Sequence, residues 1–348
     1  MPALATISST ARPERAPARP GRPETLRLGY VPLVDAAPLL VAEALGLFEK
    51  QGVRVRLSRE LGWGSVRDQV LYGQLDAAHA PGGLLFSILC GTHAPPHPVA
   101  TDLVLNLQGN AITLSRRLWQ QGVRDARTLR GMIRSEAPRK RVFAVVSAFS
   151  SHLILLRGWL HQAGISPDAD VRFAILPPPL VGQHLREGLI DGFCAGEPWN
   201  SLAALAGEGW IAETSATLSP RHPEKVLLAT ASLMEREEYR PLREALVAAC
   251  RWCELPENRK ALVDLLHERL FPRMDRAVLA NSLIGPLNNG LQTRSAEPPF
   301  HCFHRHDANA ASAQRAAWYF DGLAEAGSLS AKPEHRRACL SAFREPNT

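Results

Sequence analysis

Apolar positions along the chain follow two rhythms. Short apolar runs bounded by Gly, Pro or Asp predict strands: Leu26-Arg27-Leu28-Gly29-Tyr30-Val31, Val53 to Leu57, Val99 to Leu107, Val142 to Val146 and Val171 to Leu176. Between them, apolar residues three and four apart predict helices. Leu39, Leu40, Val41, Ala44 and Leu45 share one such face, which stops at Gly46. Ser65 caps the next helix, which closes on Gly73, and Leu153, Leu156, Trp159 and Leu160 form another that runs to Gly164. His152 falls in the first turn of that last helix, at the edge of the sheet where open α/β folds hold ligands. The stretch 116–139 is Arg-rich and reads as a solvated helix pair. Beyond residue 233 the rhythm is mostly helical, over about 239–254, 257–267, 275–282 and 310–326. Strand, helix, strand, helix, strand is the order of an open α/β sheet.

The punctuation occurs twice. Tyr72-Gly73-Gln74-Leu75-Asp76-Ala77-Ala78-His79-Ala80-Pro81 is matched by Glu187-Gly188-Leu189-Ile190-Asp191-Gly192-Phe193-Cys194-Ala195-Gly196. In each, a helix closes on Gly, an apolar-Asp pair opens a strand of small residues, and a new helix follows. Two such units predict two lobes with a ligand cleft between them. After the second copy comes Gly196-Glu197-Pro198-Trp199-Asn200, a strand-to-helix junction. Pro198 suits the first helical position, and the free N–H groups of such a junction suit a small anion. Gln108-Gly109-Asn110 interrupts two apolar runs as a simple turn or as a hinge between lobes.

A length of 348 residues allows two domains and a sizeable core. Much of the formal charge of +6 comes from Arg12, Arg15, Arg19 and Arg22 in a Pro- and Ala-rich tail, residues 1–24, expected to be disordered. The first 25 residues lack the apolar core of a secretory signal and a lipid-attachment Cys. No apolar run reaches the ~18 residues that span a bilayer. With Met1 as the start, the expected location is the cytoplasm. The six cysteines are scattered, and Cys250 and Cys253 form a lone C-x-x-C without the second pair of a zinc site. Phe300-His301-Cys302-Phe303-His304-Arg305-His306 holds three histidines without a spaced carboxylate, so a loop packing on the lobe interface is expected rather than a metal site. No nucleophile–base motif and no cofactor loop is visible, so neither an enzyme nor a cofactor is expected.

Several stretches together resemble one family. Leu28-Gly29-Tyr30-Val31-Pro32-Leu33-Val34-Asp35 followed by Ala42-Glu43-Ala44-Leu45-Gly46-Leu47-Phe48 is similar to the opening of the nitrate- and bicarbonate-binding proteins of ABC uptake systems. Gly196-Glu197-Pro198-Trp199-Asn200 and His222-Pro223-Glu224-Lys225-Val226 resemble that family's mid-chain motifs, and these are the more specific. Phe303-His304-Arg305-His306-Asp307-Ala308-Asn309 with Ala317-Trp318-Tyr319-Phe320 resembles its C-terminal segment. The resemblance implies an α/β, two-lobed periplasmic-binding-protein type II fold. Lobe 1 would take residues 25–107 plus 220–345, and lobe 2 residues 108–219. By motif position it implies an anion held by Trp63, Gln108, His152, Gly196 and Lys225. Those residues supply indole, amide, imidazole and backbone N–H groups and one ammonium, which suits a planar monovalent anion. Bicarbonate-binding relatives carry an acidic residue near the Lys225 position, so Lys225 points to nitrate or nitrite. The missing export signal makes the chain most like the cytoplasmic NasS-type nitrate/nitrite sensor, whose partner is an ANTAR-domain RNA-binding antiterminator (NasT-like). An exported receptor of a nitrate ABC transporter and a thiamine-pyrimidine-synthase-like enzyme are the alternatives. No direct contact with nucleic acid or membrane is expected.

Overall fold

The computed structural model describes residues 25–136, 138–291 and 300–345; the 1–24 tail lies outside them. Twelve strands are described: β1 (Leu26–Tyr30), β2 (Val55–Arg59), β3 (Ala77–Pro81), β4 (Val99–Ala100), β5 (Val104–Gln108), β6 (Asn110–Ser115), β7 (Arg141–Val145), β8 (Val171–Ile175), β9 (Gly192–Gly196), β10 (Gly209–Thr214), β11 (Pro223–Thr230) and β12 (His301–Cys302). They form two sheets. The first has the order β12-β5-β11-β3-β1-β2, with β4 also on β11, and the second the order β10-β6-β9-β7-β8.

The sheets share a plan. In the first, β1 runs parallel to β2 and β3, and β11 closes on β3 antiparallel. In the second, β7 runs parallel to β8 and β9, and β6 closes on β9 antiparallel. The doubled punctuation marks equivalent places, β3 and β9. The two aspartates within it do the same work. Asp76 accepts the backbone N–H of Arg27, second residue of β1, at 2.8 Å. Asp191 accepts that of Val142, second residue of β7, at 2.9 Å. Each also holds an arginine, Asp76 that of Arg27 at 3.3 Å and Asp191 that of Arg141 at 2.9 Å. A carboxylate accepting several N–H groups is a strong local fastener.

The chain passes from the first sheet to the second through Gly109 alone, since β5 ends at Gln108 and β6 begins at Asn110. Gly109 has φ of 91°, and a Cβ there would stand 2.4 Å from His301 Nδ1, so both conformation and space require glycine. The return runs from Thr214, through a short helix Ser215–Leu218, to Pro223. Leu26, Leu28, Leu39, Leu242 and Leu246 back the first sheet. Ile112, Phe143, Leu156 and Trp210 back the second. A third apolar cluster joins the sheets, with Leu33, Trp63 and Phe86 from one side against Val146, Phe149 and Phe193 from the other. The lobes are therefore closed on each other. No described helix is long and apolar enough to cross a membrane.

Candidate functional site

The chamber where the sheets meet is built around Lys225 on β11. Register places it beside Pro81 of β3 and Asn106 of β5. Its ammonium has no solvent exposure and donates to Asp35 Oδ2 at 2.8 Å and to Glu224 Oε1. Asp35 comes from a single 3-10 turn, Val34–Ala36, just after β1. His79 Nε2 of β3 lies 2.9 Å from Asp35 Oδ1, without the alignment of a hydrogen bond. Trp63 opens the helix Trp63–Leu71, its ring 5.6 Å from the Lys225 ammonium and 5.9 Å from the His79 ring.

The second sheet closes the chamber. Asn110, first residue of β6, donates through Nδ2 to Glu224 Oε2 at 2.5 Å and to Ser151 Oγ at 3.3 Å. Ser151 also donates to Glu224 Oε2. Its neighbour His152, in the first turn of the helix Ser151–Gln162, donates from Nε2 to Asn110 Oδ1 at 2.9 Å. Gly196 ends β9; a Cβ on it would lie 3.4 Å from Asn110 Oδ1 and 3.6 Å from Asp35 Oδ2. The two lobes thus meet at these side chains. Tyr319 donates to the Glu224 carbonyl at 2.5 Å, and Trp318 stacks on His222, whose Nδ1 is 3.8 Å from Glu224 Oε2.

The electrostatics follow from burial and neighbours. Burial alone would push the Asp35 and Glu224 carboxyls up, but Lys225 beside both holds each below its ordinary value. Burial works against the Lys225 ammonium, yet Asp35 and Glu224 hold its pKa above the ordinary value. Burial pushes His152 down to about 4 and His301 down to about 3, and lowers His222 as well. Near neutral pH the chamber therefore holds the Lys225 ammonium and the Asp35 and Glu224 carboxylates, with His152, His222 and His301 neutral. Several nitrogens are buried without a partner: Trp63 Nε1, His79 Nδ1, His152 Nδ1, His222 Nε2 and both of His301. Buried polar groups are nearly always hydrogen-bonded, so a cluster of orphans between two lobes marks a place for a polar guest. Sharing Trp63 with the chamber, a cavity of about 300 Å³ at the cleft is lined also by Gly62, Arg67, Val146, Phe149 and Pro178.

Of the five residues read as anion ligands, the structure brings four to the chamber: Trp63, His152, Gly196 and Lys225. Gln108 sits at the crossing and is held through its backbone. Its N–H donates to His222 O at 3.2 Å, and its carbonyl accepts from Asn106 Nδ2 at 3.1 Å. Sequence reasoning missed Asp35, His79, Asn110, Ser151 and Glu224 as chamber residues. The pairing of β11 with β3 and of β6 with β9 would have found His79 and Asn110. His301 was read in a loop on the lobe interface; it lies in β12, buried, its backbone paired with Gln108.

The junction after Gly196 requires a correction. Pro198 is not the first helical residue but the N-cap of Trp199–Leu205, and the Glu197–Pro198 peptide is cis. One of the helix-start N–H groups is already taken, because Glu197 folds back and accepts the Ser201 N–H at 3.1 Å. Burial pushes the Glu197 carboxyl up to about 7. Gly196 is a chamber residue through its close approach to Asn110 and Asp35.

Two lobes of like topology closed over a polar chamber define a solute-binding protein fold. The chain belongs to the NMT1-like family, which matches residues 19–267. It is similar to the bicarbonate transport ATP-binding protein CmpC of Synechococcus elongatus, 36% identical over 250 residues, which are 71% of this chain and 38% of that protein. It is also similar to the nitrate/nitrite binding protein NrtA of Nostoc sp., 27% identical over 274 residues, 76% of this chain and 62% of that one. The crystal structure of the periplasmic nitrate-binding protein NrtA from Synechocystis PCC 6803 superposes with a TM-score of 0.84 at 24% identity, over 90% of this chain and 84% of that one. The chain is thus homologous to nitrate- and bicarbonate-binding proteins, and spans less than two thirds of the length of these curated relatives.

Proposed function

We propose that this chain is a cytoplasmic nitrate/nitrite sensor, a receptor without enzymatic turnover. It holds the anion between its lobes and passes its occupancy to an ANTAR-domain antiterminator. The observation that carries the binding reading is the set of buried, unpartnered nitrogens, above all Trp63 Nε1 and His152 Nδ1, around the Lys225 ammonium. Trp63, Gln108, His152, Gly196 and Lys225 are the proposed ligands. The similarity to nitrate- and bicarbonate-binding proteins supports the anion class.

Asp35 and Glu224 favour a second ligand, bicarbonate, because a carboxylate accepts the proton that bicarbonate carries and nitrate lacks. Isothermal titration with sodium nitrate, sodium nitrite and sodium bicarbonate separates the two. Nitrate or nitrite binding is expected in the micromolar range, about −8 kcal/mol, with bicarbonate weaker. Heat from bicarbonate alone would move the assignment to the second ligand, and no heat from any of the three would end the binding reading. For the output, gel filtration of the chain co-expressed with an ANTAR protein should show a complex that millimolar nitrate dissolves. A complex indifferent to nitrate and nitrite would rule out the sensor role.

A further inference from the structure

We infer that this chamber takes up one proton together with a fully deprotonated oxyanion, and that the proton goes to Nδ1 of His152. The inference rests on the anion-binding reading above and adds to it the protonation state in which the anion is held.

The argument begins with hydrogen-bond direction. Glu224 Oε2, as part of a carboxylate, only accepts. The Asn110 atom 2.5 Å from it is therefore the amide NH₂. That fixes the other end of the amide: Oδ1 faces His152 and must accept. His152 Nε2, at 2.9 Å, therefore carries the hydrogen. In a neutral ring the remaining nitrogen, Nδ1, has a lone pair and no hydrogen. It is buried and has no partner. An anion beside it meets a lone pair where it needs a donor.

Charge points the same way. Lys225 is the only ammonium in the chamber among the described residues, and Asp35 and Glu224 both already hold it. Other titratable groups stand around His152. Glu224 Oε1 lies 3.6 Å from Nε2, and His222 stands beyond Glu224. From β9 comes the Cys194 thiol and from the helix Ala313–Glu325 the Tyr319 hydroxyl, both held un-ionised by burial. His79 flanks Asp35, and His301 lies farther round, with Arg259 behind it. A nitrate entering beside one ammonium already shared by two carboxylates adds a further negative charge out of water, which a low-dielectric site does not tolerate. A proton on Nδ1 removes both difficulties. It turns the lone pair into an N–H donor and restores the charge, while Nε2–H keeps its bond to Asn110. Burial holds His152 neutral in the empty protein, so the proton arrives with the ligand.

Titration of the full-length wild-type protein with sodium nitrate tests this, in buffers of different ionisation enthalpy from pH 5 to 8. Uptake close to one proton per nitrate is expected at pH 6. As pH rises above that, the dissociation constant should rise by up to tenfold per unit. Side-chain ¹⁵N spectra should show His152 as the Nε2–H tautomer without nitrate and protonated on both nitrogens with it. Nitrate binding with no proton uptake and a flat dissociation constant would overturn the inference and leave the binding reading intact. Uptake with His152 unchanged in the spectra would overturn its placement. Absence of heat from nitrate, nitrite and bicarbonate at every pH would overturn both.

Discussion

Lys225 shows at the scale of one residue why the chamber is sensitive. A buried ion pair contributes little over an apolar equivalent, but removing one partner leaves a charge stranded. Lys225 holds two carboxylates, both fully buried. Lys225→Met is therefore expected to lose ~3–5 kcal/mol in urea unfolding and to abolish anion binding. Adding Glu224→Gln should restore part of that stability, because one stranded charge is then gone. A double variant no more stable than Lys225→Met would contradict the view that the two carboxylates depend on this ammonium. The chamber was half legible. Lys225, His152, Trp63 and Gly196 stand in recognisable motifs. Asp35 lies between Pro32 and Pro38 and looks like a turn former, and Asn110 looks like part of a Gly-Asn turn. Asp35 is 190 residues from Lys225, and only the sheet brings them together.

Elements were read more securely than residues, because a buried strand bounded by Gly needs no tertiary information. Asp76 and Asp191 show what the doubled punctuation does. Each fastens its βαβ unit by accepting an N–H from the neighbouring strand. The two are not equal in strength. Asp191 holds both Arg117 and Arg141, and the Arg141 side chain is 2% exposed. The Arg27 side chain paired with Asp76 is 29% exposed. Hydrogen bonds to charged groups contribute ~1.5–3 kcal/mol each, and exposure weakens such pairs. Asp191→Asn should therefore lower stability in urea unfolding by ~2–3 kcal/mol, and Asp76→Asn by less. Equal losses would mean that burial of the arginine is not what sets the strength. The start of the helix after Gly196 was read less well, for a related reason. Pro198 stands at the cap, and the Glu197 side chain before it turns back to the Ser201 N–H, a contact that no local pattern of residues announces.

The two-lobed plan was legible at the scale of the whole molecule from the repeat, while the closeness of the lobes was not. Their meeting is tightest where Gly83, in the helix Gly82–Leu89 that follows β3, faces the loop after β7. A Cβ on Gly83 would stand 2.2 Å from the Phe149 carbonyl oxygen and 2.5 Å from Leu323 Cδ1. The oxygen is backbone, so only movement of one segment away from the other relieves that contact. None of the chamber residues lies in this helix, and a Gly83→Ala chain keeps every proposed ligand. Overpacking of this kind costs about 1–3 kcal/mol. If the anion is held only when the lobes are shut, that cost falls on binding, because the open form escapes the clash. Gly83→Ala should then weaken nitrate affinity by about five- to a hundredfold. Small-angle scattering should show a larger radius of gyration at saturating nitrate than for the wild type. The unfolding midpoint without ligand should move less than the affinity does. Unchanged affinity in titration calorimetry would mean that the lobes need not meet at Gly83 for the anion to be held, and the chamber would then have to be complete within a more open molecule.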